Sequence, residues 1–290
     1  MKYAYINTTY DIYLEINMAV NPLQQYFRQP KVYISLPSQG VYNKLGSLAG
    51  DPTNIPVCGM TGMDEIIMKT PDALLSGESS VKVIESCCSS IKDAWELAII
   101  DTVPVFAAIR IATFGNEMTV GNTCASCGAE NEYDIDLNKI IDHFRACKYN
   151  NRIELDNLVI NTKPITYKES TGFNLKNFQL QQRLAQANKI ENPEEQQKHI
   201  NQLFIELSNV RNEIFLASVD SIEANNVTVT ERNFIDEFLK NCDKSVFDAI
   251  IAHVEKNRSA WDSPTFPVTC DSCGTAANLR IELDQSNFFV

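Results

Sequence analysis

At 290 residues and 32.6 kDa, with 44% hydrophobic and 21% charged side chains, the chain has enough apolar material for one large or two small globular units and too much to stay disordered. Lys and Arg total 25 against 37 Asp and Glu, a formal net charge of -12, and the balance is even: residues 1–150 hold 11 basic and 17 acidic side chains, residues 151–290 hold 14 and 20. Neutralising a phosphate backbone requires clustered Lys and Arg, so general nucleic-acid binding is disfavoured.

Taken in chain order, residues 1–30 read as a short apolar segment in which Asn21-Pro22 opens one or two helical turns. Lys31 to Leu36 alternates and carries β-branched and aromatic side chains, which predicts a strand ended by the turn-forming Leu36-Pro37-Ser38-Gln39-Gly40. From Thr61 the period changes. Thr61 followed by Asp64 and Glu65 is a helix start, Thr70-Pro71-Asp72 another, and Ser79-Ser80 precedes Val81, Ile84, Cys87, Cys88 and Ile91 at helical spacing. A further helix is expected from near Asp101, with Pro104 in its first turn, to Gly115. Strand character resumes after Glu117, passes Cys124 and Cys127, continues through Tyr133 to Leu137, and gives way to a helix over about Asn138 to Ala146.

Asn192-Pro193-Glu194-Glu195 then places an N-cap, a first-position proline and two acids at the positive end of a long helix. Its stripe of Ile200, Leu203, Leu207, Val210, Ile214 and Ala217 suits burial against 173–190, with Phe178 to Ala187 as an antiparallel partner. Thr230 is the expected cap of a helix containing Phe234, Ile235, Phe238 and Leu239, and Val246 to Val254 forms one more. The fold class on this reading is α+β: mostly short helices with small β elements, a helical hairpin in the second half, and a pair of zinc-ribbon-like knuckles described next.

Nine cysteines accompany an N-terminus, MKYAYINTTYDIYLEIN, that lacks a basic stretch leading into an unbroken apolar core, so a reducing compartment and thiols outside disulfides are expected. The most apolar segment, Ala98 to Ala112, is interrupted by Asp101, Pro104 and Arg110 and is too short to cross roughly 30 Å of hydrocarbon. One internal repeat stands out. Thr123-Cys124-Ala125-Ser126-Cys127-Gly128 recurs as Thr269-Cys270-Asp271-Ser272-Cys273-Gly274, and Ile135 and Leu137 after the first copy correspond to Ile281 and Leu283 after the second. A Cys-x-x-Cys-Gly turn converges two thiolates on one cation, and structural zinc takes four ligands. Two such turns, each leading into a strand, therefore suggest one structural Zn2+ site made by Cys124, Cys127, Cys270 and Cys273. That arrangement requires the C-terminal strand to return beside residues 131–137. Free thiols or redox dithiols are the alternative, but thioredoxin-type use places the pair at a helix N-terminus. Cys58, Cys87, Cys88, Cys147 and Cys242 have no ligand spacing and read as buried small hydrophobes.

His253-Val254-Glu255 ahead of Cys270-x-x-Cys273 has the outline of a zinc deaminase motif, yet Thr269 precedes the first cysteine where that motif has proline, and the Cys124 pair would be left unexplained. His143 and His199 fall on amphipathic helices without a partner. No phosphate-binding glycine loop and no nucleophile elbow occurs. With no activated nucleophile, acid and base pair or open metal position, the chain reads as a non-enzyme.

The order of five motifs resembles the baseplate hub protein family of T-even-like contractile-tailed phages: Leu36-Pro37-Ser38-Gln39-Gly40-Val41-Tyr42, Val57-Cys58-Gly59-Met60-Thr61-Gly62-Met63-Asp64-Glu65, Thr70-Pro71-Asp72-Ala73-Leu74-Leu75-Ser76-Gly77, Ile109-Arg110-Ile111-Ala112-Thr113-Phe114-Gly115 and Cys124-Ala125-Ser126-Cys127-Gly128. Residues 31–145 carry most of the resemblance, and the closing Asp284 to Phe289 also suits longer members. It implies a non-enzymatic tail protein, either a structural hub subunit or an assembly chaperone absent from the mature virion, found in the tail baseplate or in the infected host cytoplasm during assembly. The implied partners are other baseplate hub or tape-measure proteins and further copies of the chain, with no membrane and no direct nucleic acid. A zinc-ribbon nucleic-acid binder is the remote alternative. The expected organisation is 1–150 as the α+β unit with the first knuckle, 151–262 as a mainly helical region, and 263–290 as the second knuckle and a strand docking back on the first unit.

Overall fold

The computed structural model describes residues 21–70, 76–155 and 157–281. The apolar segment before residue 21, the helix start at Pro71-Asp72, and Leu283 with the closing Asp284 to Phe289 lie outside the described residues. The architecture is mixed α and β, with eight helices and four small antiparallel sheets among the described residues.

A short 3-10 turn at Pro22–Tyr26, capped by Asn21, leads to β1 (Val32–Ile34), which pairs antiparallel with β2 (Ile55–Val57) in the register Val32↔Val57. The helix α1 (Gly62–Met68) opens on a capping box in which the Thr61 side chain accepts from the Asp64 N–H and the Asp64 carboxylate accepts from the Thr61 N–H. Arg28 reaches across to this corner: its guanidinium donates to the carbonyls of Gly59 at 2.7 Å and Ser86 at 2.6 Å and pairs with Asp64 at 3.0 Å. Burial raises the Asp64 pKa, but the Thr61 and Ser86 hydrogen bonds and the Arg28 charge outweigh it and hold the carboxyl below its ordinary value.

The second helix, α2 (Glu78–Cys87), starts one turn earlier than expected. Gly77, in the left-handed region, occupies the N-cap, and Ser79 and Ser80 are buried inside the first turn instead of capping it. A 3-10 turn at Ala94–Glu96 precedes α3 (Ile99–Phe114), which begins two residues ahead of Asp101, so Pro104 falls beyond the first turn. Ten of the sixteen α3 residues are buried, so this helix runs through the core. There it meets α2, β1, β2 and α4 (Asn138–Ala146) in one cluster that includes Ile34, Val57, Ile84, Ile109, Ile140 and Phe144. Cys87 and Cys88 are fully enclosed in it, whereas Cys58, Cys147 and Cys242 are only half-buried, short of the burial expected for all five spare cysteines.

Between α3 and α4 stand β3 (Glu117–Thr123) and β4 (Glu130–Asp136), an antiparallel hairpin. The second half adds an element the sequence reading did not assign: a four-stranded antiparallel sheet in the order β5 (Arg152–Leu155), β6 (Leu158–Thr162), β7 (Val219–Ala224), β8 (Val227–Val229). Between β6 and β7 run α5 (Tyr167–Ala187) and α6 (Pro193–Ala217), which form the expected helical hairpin around Leu180, Ala187, Leu203 and Val210. Asn192 caps α6 through the N–H groups of Glu194 and Glu195, as its sequence requires. The sheet packs on Phe215 and on α7 (Arg232–Asn241) and α8 (Lys244–Ala260) through Ile160, Ile222, Ile235, Leu239, Ile250 and Val254. Thr230 does not cap α7; Glu231 stands at its N-cap, and no side chain bonds there.

The end of α8 is clamped onto α4: Phe144 stacks on Trp261 with ring centroids 6.0 Å apart, and the His143 Nε2–H donates to the Asp262 carbonyl at 3.2 Å. The chain then turns into β9 (Thr265–Thr269) and β10 (Ala276–Arg280), a last hairpin whose Phe266 and Leu279, with Ile281 just beyond it, join the first core.

The loop after β1 is held by a buried carboxyl. Asp101, fully enclosed, accepts the Ser38 N–H at 2.8 Å and the Ser38 hydroxyl at 2.5 Å. Burial drives its pKa up to about 7 against the opposing pull of those two bonds. A carboxyl whose folded pKa lies above the unfolded value of roughly 3.9 contributes stability that is complete below that value and lost as pH rises through the folded one. The stability of the natural chain should therefore fall between about pH 4 and pH 7. Asp101→Asn, which keeps an acceptor for the Ser38 N–H and cannot ionise, is expected to remove on the order of 3 kcal/mol of that dependence. Urea midpoints across this range check it, and parallel profiles for the two proteins would contradict it.

Candidate metal centre

The two knuckles form by the same local rules. In the first, between β3 and β4, the Gly128 N–H donates to the Cys124 carbonyl at 2.8 Å and the Cys124 N–H to the Ala129 carbonyl at 2.9 Å. In the second, between β9 and β10, the Gly274 N–H donates to the Cys270 carbonyl at 2.9 Å and the Cys270 N–H to the Thr275 carbonyl at 3.0 Å. Gly128 and Gly274 sit at φ +74° and +71°, where a Cβ meets the backbone and only glycine is at ease. Each pair follows a strand as well as preceding one, so the repeat is a whole hairpin.

The four sulfurs of Cys124, Cys127, Cys270 and Cys273 lie within 4.8 Å of one another. Cys124 Sγ is 3.7 Å from Cys273 Sγ, and Cys127 Sγ is 3.7 Å from Cys270 Sγ. Exchanging the two knuckles turns one of these contacts into the other, so the cluster has local two-fold symmetry. Tetrahedral Zn2+ with Zn–S bonds of about 2.3 Å separates its sulfurs by about 3.8 Å, and the chain presents this spacing from its own fold. All four cysteines are free thiols rather than disulfides.

Electrostatics at the cluster are uneven. The Thr275 hydroxyl, 3.1 Å from Cys273 Sγ, and the Thr275 N–H lower the Cys273 thiol to about 6. The N–H groups of Cys273 and Ser272 lower Cys270. At Cys127 the Ala129 N–H pulls downward, but the neighbouring sulfurs and burial prevail and raise that thiol to about 12. Four adjacent sulfurs cannot all be anions alone; a divalent cation removes the conflict and displaces the protons.

Two contacts beyond the cysteines fix the hairpins to each other: Asn131 Oδ1 accepts the Asp271 N–H at 3.0 Å, and the Tyr133 hydroxyl donates to the Thr269 carbonyl at 3.2 Å. Within the first hairpin the Asn131 amide donates to the Ala129 carbonyl at 3.0 Å, which orients it for the first of these. Sequence reasoning passed over these residues, although a signal existed: Asn131 aligns with Ala277 and Thr275 with Ala129, so the contacts sit where the two repeats differ.

The other chemical candidates are not brought to the cluster. His253 lies on α8 with Nε2 2.8 Å from the Asn150 carbonyl, and His199 bonds the Glu195 carbonyl one turn back. Cys147 is 3.8 Å from His143 Nε2, with burial raising its thiol pKa, the reverse of an activated nucleophile. No helix among the described residues is long and apolar enough to cross a membrane.

Fold and site together define a mixed α and β protein whose two β-hairpins meet at a four-cysteine cluster. Residues 63–290 match the family described as T4 bacteriophage base plate protein, and the chain belongs to that family. Membership assigns it a role in the phage tail baseplate and implies contacts with other phage structural proteins. No curated protein and no solved structure matches the chain.

Because both knuckles depend on a left-handed glycine, Gly128→Ala and Gly274→Ala are each expected to cost about 1–2 kcal/mol. Chemical denaturation of the two variants measures this, and a cost near zero at either position would rule out the turn geometry described.

Proposed function

We propose that this chain is a non-enzymatic subunit of the baseplate hub that acts through protein contacts and is stapled by a structural Zn2+ held by Cys124, Cys127, Cys270 and Cys273. The observation that carries the reading is the cluster of four sulfurs within 4.8 Å of one another: four protein ligands would fill the coordination of a structural zinc and leave no position for water or substrate. The ion supplies a four-way crosslink. The chain's own residues do the rest: the knuckle amides and Thr275 stabilise thiolate, while Asn131 and Tyr133 hold the two hairpins in register.

The same site supports an organisation in which 1–150 and 263–290 form one metal-joined body and 151–262 is an insertion between its halves. The third core, inside the α5/α6 hairpin, and the second, under the four-stranded sheet, supply that insertion with apolar packing of its own.

Two measurements test the proposal. Protein purified without chelator should hold one zinc per chain, and Cys124→Ser or Cys273→Ser should lose the metal and several kcal/mol of stability, since structural zinc binding is itself folding free energy. Elemental analysis and thermal melts read both, and zinc-free protein of undiminished stability would refute the staple. Mass spectrometry of purified tails should find the chain at fixed copy number. Absence from finished particles, together with recovery on hub or tape-measure chains from infected cells, would make it an assembly chaperone instead.

A further inference from the structure

The hydrogen-bond register shows which strand edges the knuckle hairpins leave open. The Cys124 N–H bonds the Ala129 carbonyl and the Leu137 N–H bonds the Asn116 carbonyl at 2.8 Å, bracketing the β3/β4 ladder at both ends. Bonded pairs alternate along an antiparallel ladder, so Asn131, Tyr133 and Ile135 spend their backbone groups on β3. The N–H and C=O groups of Glu132, Asp134 and Asp136 point the other way, into a groove of about 380 Å³ between β4 and β9. By the same rule, set by the Cys270 N–H to Thr275 carbonyl bond, the β9 residues facing this groove are Thr265, Pro267 and Thr269. Pro267 has no N–H, and the Thr269 carbonyl already accepts from Tyr133. Among the described residues, one wall of the groove is thus an unpaired strand edge five residues long, about 16 Å, and the other is closed to a regular ladder.

The side chains beside that open edge carry one sign. Glu130, Glu132, Asp134 and Asp136 share one face of the hairpin with Glu117, which stands directly opposite Asp136. Like charges opposed across a ladder are destabilising, and none of these acids forms an ion pair among the described residues. Lys139 is the lone cation lining the groove.

We propose that the outer edge of β4 is a strand-addition site for an extended, Lys- or Arg-bearing segment of another protein. Main-chain bonds to Glu132, Asp134 and Asp136 supply the affinity, and alternate cationic side chains lying over the acidic face supply the selection. The four-sulfur cluster and the Asn131 and Tyr133 contacts hold the groove together at its knuckle end, so the edge is presented without rearrangement. The inference goes beyond the hub reading and is independent of it, because purified full-length chain decides this one and tail particles decide the other.

The probe is a synthetic peptide of about eight residues alternating Lys and Val, labelled for fluorescence anisotropy at low salt, alongside a version N-methylated on every second amide. The unmodified peptide should bind, and N-methylation should weaken it about tenfold or more. Asp134→Pro, which removes an outward N–H and spares the bonds to β3, should have the same effect, as should the pair Glu132→Lys and Asp134→Lys. If Asp134→Pro fails to fold, the N-methylated peptide still decides. No binding, equal binding of the two peptides, or concentration-dependent dimerisation of the chain that Asp134→Pro abolishes would each overturn the proposal.

Discussion

Cys127 and Cys270 lie 143 positions apart in the chain, and their sulfurs are 3.7 Å apart in the fold. Everything between them must begin and end at nearly the same point. The constraint is two-fold: each knuckle gives its first cysteine to the partner's second, so neither hairpin can shift without opening both contacts. Bringing the ends of so long a segment together costs chain entropy, and that cost is met in part locally, because each hairpin is already shaped by its own ladder and glycine.

The consequences spread outward from that point. Phe266, Leu279 and Ile281 enter a core otherwise built from residues 34–167, so the sulfur cluster and an apolar seam act on the same hairpin. The Phe144–Trp261 stack and the His143 bond to Asp262 fasten the preceding helix end to α4. The segment 151–262 therefore leaves and rejoins the first core at fixed places. Within it the α5/α6 hairpin relies on a narrow apolar seam, supported by exposed ion pairs such as Lys176–Glu213 and Arg183–Glu206 that contribute little each. The knuckle hairpins and the long helices are thus held by different interactions.

Local rules were readable wherever the signal was local. The Thr61/Asp64 capping box, the Asn192-Pro193 helix start and the stripe from Ile200 to Val210 appear in the fold as their residues require, while Ile214 and Ala217 lie beyond the hairpin seam. The four-stranded sheet was not readable, because its strands are three to six residues long and β7 follows α6 after a single residue, leaving no alternating run to detect. The early starts of α2 and α3 have a common cause. Ser79, Ser80 and Asp101 are capping residues by type, but tertiary burial drew all three into helix interiors, with Ser79 bonding the Ile67 carbonyl and Asp101 the loop at Ser38.

The sequence by itself determined the cysteine repeat, the helical hairpin and the α+β class, because each is written in spacing, caps and periodicity over short stretches. Only the tertiary structure decided that the two knuckles face each other across a local two-fold axis, that Asn131, Tyr133 and Thr275 support them, and that β4 keeps one edge unpaired among the described residues. Those facts depend on which distant groups share a volume and which hydrogen bonds remain after pairing, and neither quantity is a property of neighbouring residues.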